Sequence, residues 1–396
     1  MKILQITNRI PYPLDDGGNI ATYSVTKYLN RFGHEVTMAS MNTKKHFQDP
    51  EVMSSVCDIR AMYWPAPITF LGMFLGLFKK MPYNVWRFMS KEFSGLLVKL
   101  LAEKKFDIIQ LEGSYMLLYA DLLKQHTAAP VILRSHNIEY QIWGRYADSE
   151  GNNLLKKFYL KHLSKQIKHF ELQYLHKADG IIAITDQDAE FYRQAGYKKE
   201  LTVISAGVDM DFVDVVGQKK PIPDSVCFLG SLEWMPNAQG LDWFIEHVWP
   251  VIRRFKPHAQ LHIAGKNPPE RYKNLKGNGI FFHGMVPDAA DFVSTYQIVI
   301  VPLFSGGGMR LKIVEAMALG KCIVSTPVGA EGIDAAHDKQ ILLADNAKDF
   351  QKNILCLMEE PSRYNRVADN AVSLARSKYD WEILVRQFEK FYFKFK

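Results

Sequence analysis

Short apolar runs alternate with longer amphipathic stretches along most of the chain. KILQIT (2–7) reads as a strand, and the loop NRIPYPLDDGGN follows it. Then come an amphipathic helix, NIATYSVTKYLNRFG, ended by Gly33, and a second strand, HEVTMAS. Strand, glycine loop, helix and strand form a βαβ unit, whose crossover makes the two strands parallel. The runs DIIQLE (107–112), PVILRSH (130–136) and GIIAIT (180–185) predict further buried strands. Helical stretches separate them, one strongly basic, KKFYLKHLSKQIKHFELQYLHKA. After residue 205 the alternation begins again: SVCFLGS, a helix over PNAQGLDWFIEHVWPVIRRF, the strands AQLHIAG, GIFFHG and QIVIVPLF, a helix within GGGMRLKIVEAMALG (306–320), and the strand CIVST. VDVVGQKKPIPDS (213–225) is polar, charged and proline-containing, and reads as the linker between the two series. The architecture this predicts is α/β: two doubly wound domains, 1–205 and 206–378, with a cleft between them. The last segment, 379–396, is a helix with an aromatic face that joins the first domain by simple packing.

Composition narrows the chemistry. A chain of 396 residues predicts two or three domains at about 150 residues each. Apolar residues make up 47% and charged residues 23%, as in a globular protein with proper cores. Lys plus Arg is 49 against 42 Asp plus Glu, a formal charge of +7. That mild excess suits an anionic ligand or an anionic membrane surface and does not call for nucleic acid. Four cysteines without a CxxC pair argue against disulfides and zinc, and fit a reducing cytoplasm. The N-terminal apolar run is too short for a signal peptide. The longest apolar run, APITFLGMFLGLF (66–78), falls short of the roughly 20 residues of a spanning helix. Two readings stay open for it. It lies in a membrane interface with Lys79 and Lys80 on anionic headgroups, or it packs as a buried helix or a lid.

Gly306, Gly307 and Gly308 follow the strand QIVIVPLF directly and lead into a helix. Ligands of open α/β sheets sit at such carboxyl ends, where free N–H groups and the positive helix end favour an anion. Leu311 breaks both the GxxxxGK[ST] and the GxGxxG patterns, so neither an ATPase nor a nicotinamide enzyme follows. Arg310 and Lys312 stand near the helix start, where each cation is unfavourable by about 0.3–1 kcal/mol unless an anion joins it. The plain alternative is a pair of solvated surface cations. Glu315, amid apolar neighbours, needs a partner, either a pair of sugar hydroxyls or a structural salt bridge. His136 ends a predicted strand, where functional residues gather and where capping histidines also occur. Glu139 orients His136, meets an acceptor, or is simply an N-terminal helix carboxylate.

With these residues in place, the sequence resembles the GT-B fold retaining glycosyltransferases of family 4, also called group 1. LKIVEAMALGKCIVSTPVGAEG carries the resemblance, supported by FLGSLEWMPNAQGLDWF, IAGKNP, HGMVPD, VISAGVDMDFV and the early glycine loop. The WMPNAQGLDWF variant is similar to a bacterial subgroup tied to surface polysaccharide, lipopolysaccharide or capsule assembly. The resemblance implies two Rossmann-like domains facing across a cleft, the first for the acceptor and the second for a UDP- or GDP-sugar donor. It implies Glu315 on the ribose hydroxyls, Gly306 to Gly308 against the diphosphate or sugar, and Gly284 and Val286 flanking the base. Gly17, Gly18 and Asn19 would form a phosphate or acceptor loop, and His136 would stand near the donor sugar. Two departures stand out. Gly307 occupies the position of a family glutamate, eight residues before Glu315, and Ser231 and Asn237 replace an Arg and a Lys that clamp the diphosphate. Arg310 and Lys312 are expected to take over that clamp, and Asn237 to cap the helix after it. No metal and no cofactor is expected: DMD (209–211) matches a DxD triplet only by letters. The expected partners are a nucleotide-sugar donor, a glycan or lipid-linked acceptor, and the inner face of the plasma membrane as a peripheral contact. A GT-B sugar-nucleotide epimerase and a non-catalytic assembly subunit are the rival readings.

Overall fold

The computed structural model describes residues 1–151, 153–216, 219–273, 275 and 277–396. The chain divides into two compact units, Met1–Ser205 with Leu384–Lys396, and Ala206–Ile383. The first is built on seven strands: β1 (Lys2–Thr7), β2 (Glu35–Asn42), β3 (Asp58–Tyr63), β4 (Ile108–Glu112), β5 (Val131–Ser135), β6 (Gly180–Ala183) and β7 (Glu200–Val203). All pair in parallel, in the order β3-β2-β1-β4-β5-β6-β7. The second holds β8 (Ile222–Leu229), β9 (Gln260–Ala264), β10 (Ile280–Gly284), β11 (Tyr296–Val301), β12 (Cys322–Ser325) and β13 (Leu342–Leu343). These too are parallel, in the order β10-β9-β8-β11-β12-β13.

The central strands have no polar face. Every residue of β4, β5, β6 and β12 is buried, because helices cover both sides of each sheet. In the second unit Val299 packs with Ile313 and Met317 on one face, while Ile298 and Ile300 pack with Phe244 and Trp249 on the other. The strand order reverses between β1 and β4 in the first sheet and between β8 and β11 in the second. At such switch points neighbouring crossovers leave on opposite faces and open a crevice at the carboxyl ends of the strands.

Three expectations need correction. The segment 213–225 is not simply a linker: a helix, Met210–Val216, fills its start, and β8 begins at Ile222. Residues 217 and 218 of that segment lie outside the described residues. The single helix expected over PNAQGLDWFIEHVWPVIRRF is three pieces, Met235–Trp243, a π-helical turn Phe244–Val248, and Trp249–Phe255. Pro250 has no N–H to give the preceding turn, and its ring crowds the carbonyl four residues back, so the turn before it widens. Third, the apolar run 66–78 is not a buried helix. Its helix, Phe70–Gly76, is capped by Thr69 and lays Gly72 and Gly76 on the ring of Tyr83. That leaves Phe70 (82% exposed), Leu71, Phe74, Leu75 and Phe78 facing outward. Gln166, from the long helix Leu154–Tyr174, donates to the carbonyls of Gly76 (2.9 Å) and Lys79 (2.8 Å), fixing the two helices side by side. Among the described residues no helix is long and apolar enough to cross a membrane.

Close backbone approach sets a testable limit. A Cβ on Gly240 would lie 1.8 Å from the carbonyl oxygen of Pro302, which follows β11, whereas one on Gly95, exposed in the helix Lys91–Glu103, meets nothing within 4 Å. Gly240→Ala is expected to destabilise the protein by about 1–3 kcal/mol through overpacking. Gly95→Ala is expected to stabilise it by about 0.5–1 kcal/mol through helix propensity. Urea unfolding of both variants measures the contrast.

Candidate active site

In the first unit, β4 and β5 run side by side with Glu112 in register with Arg134. Glu112 is the last residue of β4, and His136 comes one residue after the end of β5. The Glu112 carboxylate is buried and ringed by donors. Oε2 accepts from Nη1 of Arg134 (3.2 Å) and pairs with Nε2 of His136 (2.7 Å). Oε1 accepts from Nε2 of Gln110 (2.5 Å) and of Gln5 (3.4 Å). Arg134 has no exposed surface, and its Nη1 also donates to the carbonyl of Ala21 at 3.2 Å. Burial alone would push the Glu112 pKa up. The Arg134 charge and the His136 hydrogen bond outweigh it and hold the carboxyl down at about 2.

Glu139 opens the helix Glu139–Ser149, and its Oε2 accepts from the Tyr115 hydroxyl at 3.0 Å. It is Glu112, not Glu139, that reaches His136. The N-terminus of that helix is held by Glu171, which accepts from the backbone N–H groups of Glu139 (3.0 Å) and Tyr140 (3.1 Å) and from Ser114 Oγ (3.0 Å). Burial raises the Glu139 pKa. Burial and the Glu139 charge push Glu171 up to about 8. After β1, Asp16 caps the helix Gly17–Arg31 by accepting from the backbone N–H of Asn19 at 2.9 Å. Gly17 borders open space. Asn19, expected in a substrate loop, is buried, and its amide donates to the Pro13 carbonyl at 2.9 Å. Its side chain serves the loop's own geometry.

In the second unit a separate cluster forms at the carboxyl ends of β8 and β11. Gly306 (φ 132°) and Gly308 (φ 73°) take backbone conformations that other residues rarely adopt. Arg310, the N-cap of the helix Leu311–Ala318, turns back on this loop. Its Nη1 donates to the carbonyls of Gly307 and Gly308, and its guanidinium lies 5.4 Å from the ring centre of Trp234. Lys312 reaches across to the end of β8, where Nζ donates to Leu229 O (3.1 Å) and Asn237 Oδ1 (3.4 Å). Asn237 Nδ2 in turn donates to Ser231 O at 2.9 Å. Asn237 is therefore not the expected helix cap. It lies inside the first turn of Met235–Trp243, whose N-cap is Trp234, and it links Ser231 to Lys312. Burial, helped by the Arg310 charge, lowers the Lys312 pKa to about 7.

Glu315 stands one turn further along the same helix. It is half-buried, and among the described residues no hydrogen bond or ion pair reaches its carboxylate. Burial pushes its pKa up to about 7. Gly284 ends β10 with φ 68°, and its carbonyl accepts from Gly265 N at 2.8 Å. Val286 packs with Met309 on the core that includes Ile313. The structure thus gathers Gly306, Gly307, Gly308, Arg310, Lys312, Ser231 and Asn237 into one cluster. It gathers His136 with Glu112, Arg134 and Gln110 into another. Glu112 and Trp234 escaped the sequence reading. The signal for Glu112 was there: a carboxylate ends the buried run DIIQLE as a histidine ends the next one.

Comparison with known proteins identifies the family. Residues 16–212 match the family described as "Glycosyltransferase Family 4", and residues 223–360 match "Glycosyl transferases group 1". An uncharacterised 44.6 kDa protein in the cps region of Klebsiella pneumoniae is 23% identical over 393 residues, covering 96% of each chain. The Campylobacter jejuni N,N'-diacetylbacillosaminyl-diphospho-undecaprenol alpha-1,3-N-acetylgalactosaminyltransferase is 25% identical over 277 residues, 63% of this chain and 70% of that one. Among solved structures, Anabaena HepE in complex with UDP and glucose superposes with a TM-score of 0.68 at 14% identity, covering 98% of each chain. These likenesses give the fold as GT-B, with two α/β units of parallel sheet.

Glu315 also makes a stability prediction. Its folded pKa of about 7 lies above the ordinary carboxylate value, so the folded state favours the protonated form. Its contribution is complete below the unfolded value and is lost as pH rises through about 7. Glu315→Gln is expected to match wild type near pH 4.5 and to exceed it at pH 8 by on the order of 2 kcal/mol. Urea unfolding at the two pH values measures the difference.

Proposed function

The chain belongs to the group 1, family 4 glycosyltransferases, and from that premise we propose that it moves a sugar from a UDP- or GDP-sugar to a hydroxyl of a glycan or lipid-linked acceptor, with retention, in surface-polysaccharide assembly. The observation that carries this reading is the helix Leu311–Ala318, where Lys312 and Glu315 stand one turn apart and, among the described residues, nothing pairs with the Glu315 carboxylate. At each the surroundings disfavour the charged form, and a nucleoside diphosphate offsets this at both. Phosphate oxygens beside Lys312 favour the ammonium, and ribose hydroxyls give Glu315 hydrogen bonds. The glycines at 306–308 let the diphosphate approach the backbone.

Departure of the sugar leaves negative charge on the terminal phosphate. Lys312, oriented beforehand by Leu229 O and Asn237 Oδ1, stabilises that charge without reorganising. It thereby fills the clamp position that Ser231 and Asn237 leave without a cation. Arg310, bound to its own loop, holds the glycines in shape and adds positive field. In this reading the transfer runs without a metal ion, and His136 contacts a reacting sugar. The uncharacterised Klebsiella relative from a cps region and the Campylobacter relative named for a diphospho-undecaprenol substrate support a polysaccharide setting and a lipid-linked acceptor.

A lipid-linked acceptor requires access to a membrane, and the exposed face of Phe70, Leu71, Phe74, Leu75 and Phe78 suits one. Leu154, Leu155 and Phe158, at the start of the neighbouring basic helix, are exposed as well. Lys80, Lys156 and Lys157 flank these apolar groups and complement anionic headgroups. The protein then works as a peripheral enzyme on the inner face of the plasma membrane.

Two measurements test this. In a thermal-shift panel of UDP, GDP, ADP and CMP, UDP or GDP is expected to raise the melting temperature most. Lys312→Ala and Glu315→Gln are expected to abolish the rise, and Lys312→Ala to lower kcat by about 10²–10³. Activity is expected to persist in EDTA and to be lost in His136→Ala. If all four nucleotides leave the melting temperature unchanged, the donor assignment is wrong. For the membrane face, co-sedimentation with vesicles containing phosphatidylglycerol is expected for wild type and lost in Phe70→Ser/Phe74→Ser/Phe78→Ser. Binding that is indifferent to those three changes overturns the assignment of that face.

A further inference from the structure

We propose that His136 meets its substrate through Nδ1, and that Glu112 is the positioning residue that sets this by keeping the proton on Nε2. The proposal rests on the reading of His136 as a residue of the transfer site.

The hydrogen bonds around Glu112 have a direction, and the Tyr392 hydroxyl two steps away helps to set it. Tyr392, on the C-terminal helix Trp381–Phe393, donates its hydroxyl to Oε1 of Gln110. With its oxygen engaged there, Gln110 turns its amide NH2 to Glu112. The single Thr26 hydroxyl proton is shared between Oε1 of Gln5 (2.7 Å) and the Thr22 carbonyl (2.8 Å), and the Gln5 NH2 faces Glu112 at 3.4 Å. Reversing either amide would set an oxygen against the carboxylate. Thr22 adds a hydroxyl at 3.5 Å, and Arg134 offers only N–H groups. Every group facing Glu112 is thus arranged to donate, and a full set of donors around a buried carboxylate holds it ionised. An ionised carboxylate can only accept, so the 2.7 Å contact with His136 requires a proton on Nε2.

Nδ1 is then the nitrogen left to act. Among the described residues it has no partner, and the His136 side chain is 18% exposed, open enough to meet a ligand. In the neutral ring Nδ1 carries a lone pair and accepts a hydrogen bond from a hydroxyl. The ligand chemistry is therefore a sugar or acceptor hydroxyl donating to Nδ1, and a carboxylate or phosphate oxygen is a poor match for that lone pair. A carboxylate that fixes a histidine tautomer in this way is a known device of nucleophilic catalysis, used here for a hydroxyl. The C-terminal helix acquires a role beyond packing, because the Tyr392 hydroxyl stands at the origin of the chain of donors.

The test is ¹⁵N NMR of the histidine-labelled full chain, with the His136 signals assigned by their loss in His136→Gln. The wild-type neutral ring is expected in the Nε2–H form. In Glu112→Gln the amide can present NH2 to the ring, and the Nδ1–H form is expected to appear. With it kcat is expected to fall by about 10²–10⁴, with the donor KM little changed. Tyr392→Phe frees Gln110 but leaves the ionised Glu112 paired with Arg134, and is expected to keep the Nε2–H form. A wild-type ring in the Nδ1–H form overturns the proposal, and so does a folded Glu112→Gln with unchanged tautomer and kcat. If Glu112→Gln fails to fold with Arg134 left unpaired, the wild-type and Tyr392→Phe spectra still decide. If the wild-type ring is Nε2–H while His136→Gln keeps full activity, the tautomer stands and the catalytic reading of His136 falls instead.

Discussion

Parallel strands covered on both faces leave polar chemistry one place to go. Within β4, β5 and β12 every residue is buried, so a charged side chain there must either find a partner inside the sheet or wait for the strand to end. Both solutions occur. Arg134 stays inside and is neutralised by Glu112 on the neighbouring strand. His136, the 306–308 glycines and Ser231 all lie past strand ends. The candidate site residues follow from this constraint on the sheets.

The two units handle buried charge in opposite ways. Glu112 is surrounded by donors, and its pKa is held at about 2, so the first cluster is complete as it stands. Breaking such a pair costs about 3–5 kcal/mol, because the remaining charge is left buried. In the second unit Lys312 is pulled down to about 7 and Glu315 pushed up to about 7, and neither neutralises the other although they share a helix. A complete cluster positions a side chain, whereas an incomplete one stores destabilisation that a ligand of matching charge and hydrogen bonding releases. That contrast separates a cluster that satisfies its own charge, around Glu112, from one that leaves charge uncompensated, around Lys312 and Glu315.

The sequence made the central strands and the glycine loop legible because both are local signals, an uninterrupted apolar run and a glycine triplet before a helix. It concealed β3 and β7, edge strands whose half-exposed faces carry Asp58, Arg60 and Glu200 and break the apolar pattern. It concealed Glu112 and Tyr392 for a different reason. Their partners lie 24 and 282 residues away in the chain, and no spacing rule joins Tyr392 to Gln110. Asn237 was misplaced by one turn, since Trp234 rather than a polar residue begins the helix. Arg310 and Lys312 looked interchangeable as two cations at one helix start. Arg310 is the N-cap, with extended backbone, whereas Lys312 lies within the first helical turn, and the two cations serve different structures.

That divergence explains how the cluster can do without the charges it lacks. Gly307 offers a carbonyl where the family has a carboxylate, and that carbonyl, with Gly308's, orients the Arg310 guanidinium without removing its charge. Ser231 and Asn237 offer a carbonyl and an amide where the family has two cations: the Ser231 carbonyl holds the Asn237 amide, whose oxygen, with the Leu229 carbonyl, seats the Lys312 ammonium. In each case a backbone or amide dipole replaces a formal charge, and the charge itself comes from the helix after β11. The Lys312 ammonium is held partly out of solvent, so its field is less screened than that of a fully exposed cation. Burial, which makes the Lys312 ammonium unfavourable by itself, also strengthens its attraction for any anion brought beside it.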